Sequence, residues 1–195
     1  MRTAFQASAM ALAVLGLTGC LGLGSKTPKS LITLTPAATA PAGSVASGNA
    51  RTAIAMSVFD APAKLDVTRV PVQVSDSEIA YVKDAVWNEK PARLLSRLIA
   101  ETIRARGERL VIDGDDPGAQ PELRLSGFLR EFGYDARTGE VVLVLDAARA
   151  GAGSSVTTKR FEARVPGVVA EAGSVGAALN RAANQVAAEV AAWVG

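Results

Sequence analysis

The chain has 195 residues, 49% of them hydrophobic and 21% charged, with a formal net charge of +2; with a leader set aside, that is enough for one ordinary domain with a sizeable core. No basic block and no interleaved aromatic stripe is present, which argues against nucleic acid as a partner. There is no histidine and only one cysteine, so Ser-His and Cys-His nucleophile systems, the common zinc sites and an internal disulfide all fall away.

Arg2 opens the chain as a short positive region, and Ala4 to Leu17 form an apolar run. The small residues Thr18 and Gly19 then lead into Cys20. This is the pattern of a secretory signal peptide ending in cysteine. The run is short for a membrane span, which needs about 20 apolar residues. Leu17-Thr18-Gly19-Cys20 resembles the lipobox of bacterial lipoproteins. The resemblance implies cleavage after Gly19 and a diacylglyceryl group on the Cys20 thiol, the covalent lipid being the only non-protein group expected. One acyl chain holds a protein marginally and two or more hold it firmly, at about 0.8 kcal/mol per buried methylene. Leu21 stands where Asp would signal inner-membrane retention in Gram-negative lipoproteins. By resemblance the destination is the periplasmic face of the outer membrane.

Residues 1–19 thus read as signal peptide, 20–50 as a lipid-anchored tether with a short strand, and 51–195 as the folded domain. Lys26 and Lys29 lie in the tether, and Leu31 to Leu34 is the strand candidate, able to pair with a sheet edge of its own chain or with a neighbour by strand addition. Pro36 to Asn49 is rich in Ala, Pro, Gly and Ser and reads as a loop. Arg51 to Phe59 reads as a strand with Ile54, Met56 and Val58 on one side. Arg69–Val74 and Glu78–Val82 are extended segments around the turn Ser75-Asp76-Ser77. A helix is expected from Asn88, as its cap, to Gly107, with Pro91 in the first turn and Arg104 and Arg106 in the last.

Leu110-Val111-Ile112 reads as a buried strand. In Glu122 to Tyr134 the apolar positions Leu123 and Leu125 change parity to Phe128, Phe132 and Tyr134, which predicts a bulge at Gly127. Val141 to Leu145 is apolar throughout, as for a strand covered on both faces. Ser155 to Val165 alternates, with Phe161, Ala163 and Val165 inward and Arg160, Glu162 and Arg164 outward. A last helix starts at Ser174 as cap and carries Val175, Leu179, Ala182, Val186, Val190 and Trp193 on its core face. The whole predicts an α+β fold: a largely antiparallel sheet with two helices on one face.

The run from Arg69 to Leu95 (RVPVQVSDSEIAYVKDAVWNEKPARLL) resembles the ABC-type transport auxiliary lipoprotein family. So does Pro121 to Val194, with its LRLSGFLREF hairpin entry and NQVAAEVAAWV terminal helix. The family includes the lipoprotein of the paraquat-inducible system. The resemblance implies a non-enzymatic periplasmic lipoprotein working with an ABC permease, its ATPase and a membrane-anchored lipid-binding protein of the mammalian-cell-entry type, in moving lipids or other hydrophobic molecules. A homo-oligomeric collar is compatible with that role. A stand-alone lipid-binding lipoprotein and a structural assembly lipoprotein of the cell envelope are the competing readings.

Other constellations read as structural. Asp113, Asp115 and Asp116 form an acidic turn that fails the EF-hand pattern, since Pro117 and Arg124 stand at its fifth and twelfth places. No metal site and no catalytic residues are assigned. Gly151-Ala152-Gly153-Ser154 lacks the lysine of a phosphate loop and reads as a hairpin tip. Tyr81, Lys83, Asp84 and Trp87 combine aromatics with charges and are candidates for partner contact, against the alternative that Tyr81 and Trp87 close the end of the core.

Overall fold

A computed structural model describes residues 30–45, 53–107, 109–113, 121, 123–151 and 155–195. The elements run β1 (Ile54–Met56), β2 (Arg69–Gln73), β3 (Ile79–Val86), α1 (Pro91–Arg106), β4 (Val111–Asp113), β5 (Leu123–Asp135), β6 (Glu140–Ala150), β7 (Val156–Val165) and α2 (Ala172–Val194). All seven strands join one sheet, and the fold is α+β as expected.

The sheet is mixed. Its long ladders, β5–β6 and β6–β7, are antiparallel, as is β2–β3. Short parallel pairings join β1 to β4 and β5, and β2 to β5. The thirteen-residue β5 therefore pairs with β6 along one side and with β1 near its start and β2 at its end on the other. Hairpin chemistry in the sequence exposes the antiparallel ladders; the parallel ones need crossovers that local patterning does not record.

β1 corrects one expectation. Ile54, Ala55 and Met56 are all buried, whereas Val58 is 48% exposed. Lying between β4 and β5, a parallel strand buried on both faces shows a continuous apolar run instead of alternation. The bulge in β5 also moves. It falls between Leu129 and Glu131, not at Gly127. Leu125, Leu129, Phe132 and Tyr134 face the core, and Phe128 points outward. Gly127 is needed for a different reason: a Cβ there would lie 2.9 Å from the Asp146 carbonyl oxygen and 3.0 Å from the Phe59 ring.

Both helices begin away from their expected caps. α1 starts at Pro91 behind Lys90, and α2 starts at Ala172 behind Glu171; neither cap residue makes a side-chain cap hydrogen bond. Pro91 supplies a preset φ at the first turn of α1, and the Gly107 stop holds, with φ +70° and its N–H bonded to the Arg104 carbonyl. The helices pack on each other, and α2 lies along β6 and β7. Ser96 on α1 accepts the Phe59 backbone N–H at 3.0 Å and donates to the Ala92 carbonyl at 2.9 Å, so this buried hydroxyl is fully used. Small residues Ala178, Ala182, Ala183, Ala187 and Ala191 let α2 approach closely. No helix among the described residues is long and apolar enough to cross a membrane.

Candidate functional site

Leu17, Thr18, Gly19 and Cys20 lie outside the described residues, as do most of the acidic turn and the tip of the β6–β7 hairpin. The remaining candidates fall on β3 and its exit, a strand rather than the connection that the sequence suggests. Two steps along β2, from Arg69 to Pro71, correspond to five along β3, from Val86 to Tyr81, so three extra residues bulge from the edge. Asp84 sits in that bulge at φ +60°, a region Asp tolerates better than most side chains. Lys83 and Asp84 are exposed, and the Tyr81 ring is covered by the Arg69 guanidinium at 3.7 Å. Trp87 stands apart from them. It is 1% exposed and its ring centroid lies 5.2 Å from that of Phe132. It belongs to the core, so only Tyr81, Lys83 and Asp84 reach the surface together.

The segment Leu31–Leu34 pairs within its own chain. Ile32 bridges Trp87 in parallel, donating to the Val86 carbonyl at 2.7 Å and accepting from the Asn88 N–H at 2.9 Å. Trp193, at the far end of the core, is partly buried edge-on to Phe161 at 5.6 Å, with the Arg149 guanidinium 4.8 Å from its centroid.

The sheet face away from the helices carries the densest polar array. Val141, Leu143 and Leu145 are buried, but Val142 and Val144 turn outward and are only half-buried, so β6 is open on this side. They line a cavity of about 460 Å³ with Lys64, Glu131, Arg137 and Arg164. Each of these cations has a carboxylate partner. Lys64 contacts Glu131 at 2.6 Å, and Arg164 contacts Glu140 at 2.6 Å and Glu162. Arg137 grips Asp135 through two guanidinium N–H groups, at 2.9 and 2.7 Å, and its backbone N–H adds a third bond at 3.0 Å.

Beside this cavity, Asp146 receives two bonds from Arg160, at 2.6 and 2.9 Å, and another from Arg130. The Arg160 hydrogen bonds, with Arg130 next, hold the Asp146 carboxyl well below the ordinary carboxylate range despite some desolvation. The Arg137 side chain lowers the Asp135 carboxyl, against an opposing burial effect. Asp135 and Asp146 are thus both held toward the charged form, each by the arginines bonded to it. The array presents charges of both signs on one open face of the sheet. Outward alternation in β7 predicts Arg160, Glu162 and Arg164 on the open face; the cross-strand partners Asp146 and Glu140 on β6 depend on strand register, which the alternation leaves open.

A family model described as the ABC-type transport auxiliary lipoprotein component matches residues 33–191. The chain belongs to this family. The match takes in every strand and nearly all of α2. Among solved structures, a DUF330-family protein from Xanthomonas campestris aligns with a TM-score of 0.70 at 18% identity, covering 84% of this chain and 93% of that one. A second, described as an uncharacterized protein, gives a TM-score of 0.66 at 13% identity, over 85% and 100% of the two chains. At such identities the likeness concerns the fold. No curated protein matches the sequence. Membership makes this an envelope lipoprotein tied to ABC-type transport, an auxiliary part of such a system.

Proposed function

We propose that this member of the auxiliary lipoprotein family is a non-enzymatic subunit anchored by acyl chains on Cys20 to the periplasmic face of the outer membrane. There it serves a mammalian-cell-entry-type ABC system that carries lipids or other hydrophobic molecules, and it acts by docking to the transport components. The observation that carries the reading is the family match over residues 33–191, on a domain joined by a short tether to Leu17-Thr18-Gly19-Cys20. The paired charges on the open sheet face support docking, because the cavity there is walled by ion pairs and is a poor host for an acyl tail. The bulged edge with Tyr81, Lys83 and Asp84 is a second contact surface. The partners in this reading are the lipid-binding mammalian-cell-entry-type protein, the permease and its ATPase, and further copies of the chain in a homo-oligomer.

Affinity purification from envelope membranes tests it. The native protein should bring down the lipid-binding and permease components. Cys20→Ala should leave the membrane fraction and lose them. Recovery of a stoichiometric lipid with no transport component would instead favour a stand-alone carrier, and recovery of neither would favour a structural assembly role.

A further inference from the structure

After Ile32 the chain does not return to the sheet but crosses the helix layer. The Thr35 N–H donates to Asn180 Oδ1 at 2.8 Å, and the Ala37 N–H donates to Asn184 Oδ1 at 2.7 Å. Asn184 Nδ2 returns a bond to the Thr35 carbonyl at 2.9 Å. Farther on, the Ala40 N–H donates to Glu101 Oε1 of α1 at 2.9 Å. The spacing explains the fit. Four residues advance a helix by about 6 Å, and two residues advance an extended chain by about 6.7 Å. An Asn pair four apart on α2 therefore meets alternate peptide groups of a strand lying along it.

These bonds touch the main chain only. They are made at exposed or half-buried positions, with Ile32 and Leu34 partly buried beneath. Gly176 on α2 opens the place for Ile32, whose side chain lies 3.4 Å from where a Cβ would stand. A segment held chiefly by solvent-exposed hydrogen bonds belongs to the low-stability end of a fold, able to open while the core stays closed.

We propose that residues 32–40 are a detachable strap, latched by Asn180, Asn184 and Glu101 and by the two main-chain bonds of Ile32 to Val86 and Asn88, whose docking sets the reach of the domain from its membrane anchor. With the strap docked, Ile32 lies twelve positions from Cys20, a contour of about 40 Å at most. With it lifted, the next buried residue among those described is Ala53, thirty-three positions from Cys20, and the limit becomes about 115 Å. The reach half of the proposal rests on the Cys20 anchor; the latch does not.

Amide hydrogen exchange on the full chain tests the latch. Asn180→Ala with Asn184→Ala keeps good helix formers in α2 and should speed exchange of the Thr35 and Ala37 amides at least ten-fold, leaving the β5 and β6 amides unchanged. Gly176→Leu, which crowds Ile32 from the helix side, should speed the same amides. Unchanged exchange at Thr35 and Ala37 in both variants overturns the latch, as do unfolded-chain rates at those amides in the native protein. For the reach, the lipidated protein is placed on phospholipid vesicles, and distances from a label at the exposed Thr158 to the bilayer are measured. The double Asn variant should shift the distribution outward and broaden it. Faster exchange with an unmoved distribution overturns the reach. Failure to associate with vesicles at all refutes the anchor, and the reach with it, while the exchange result on the latch stands.

Discussion

Trp87 fills the end of the core with its whole indole, and its Nε1 has no hydrogen-bond partner among the described residues. The ring contributes area and contact with Phe132, while the buried N–H detracts, since an unmade bond costs about 1–3 kcal/mol. Trp87→Ala should cost about 3–5 kcal/mol in urea unfolding, and Trp87→Phe less than half as much, because it removes the unpaired donor along with the volume. Asp135 and Asp146 act differently. Their folded pKa values lie below the unfolded ones. Their contribution to stability is thus fully present above an unfolded value of about 3.9, and is lost as pH falls toward the folded values. Thermal midpoints should stay level from about pH 8 down to 5 and drop below about 4. Asp146→Asn should flatten part of that acid limb. A sequence reader sees Asp146 inside an apolar strand and cannot tell that Arg130 and Arg160 converge on it. That convergence is made by register and by the bulge at Arg130, neither of which is local.

Among the elements, β5 bears the tightest constraint at Gly133. A Cβ there would stand 2.5 Å from the Pro71 carbonyl oxygen and 2.9 Å from the Pro71 ring, close to where β2 joins β5. Backbone cannot step aside as a flexible side chain can, so Gly133→Ala should cost about 1–3 kcal/mol or more, read as a lowered urea midpoint with an unchanged slope. The hairpin strands β5 to β7, the Gly107 stop and the apolar stripe of α2 were all legible in the sequence, because period, turn residues and helix punctuation are local signals. The sequence pattern puts the β5 bulge at Gly127, away from its place between Leu129 and Glu131, because Phe128 is 38% exposed and an exposed aromatic imitates a core position. The first turns of both helices depart from the sequence expectation because neither uses a side-chain cap: Asn88 and Ser174 are capping residue types, whereas Lys90 and Glu171 carry no such signal. On the bulged edge, Tyr81, Lys83 and Asp84 can be singled out in the sequence as polar and aromatic neighbours. Their bulge could not, since it is visible only against β2. Asn180 and Asn184 carried a signal of their own, two amides one turn apart in an alanine-rich helix.

At the scale of the whole molecule, both ends of the described chain meet on one layer: residues 32–40 cross the helices, and α2 is the final element. That helix brings ten buried side chains, from Val175 to Val194, to a core otherwise drawn from strands and α1. Without them the inward faces of β6 and β7 would stand bare to water, Leu143, Leu145 and Phe161 included. A protein cut after Val169 should therefore give no cooperative thermal transition and should bind a hydrophobic dye, whereas a cut before Ser30, which spares every described element, should melt as one unit. Strands β1 to β7 all precede α2 in the chain, so during synthesis they exist before the surface that seals them. Until residues 172–194 join them these strands have no cover for their inward faces, and the globule stays slack.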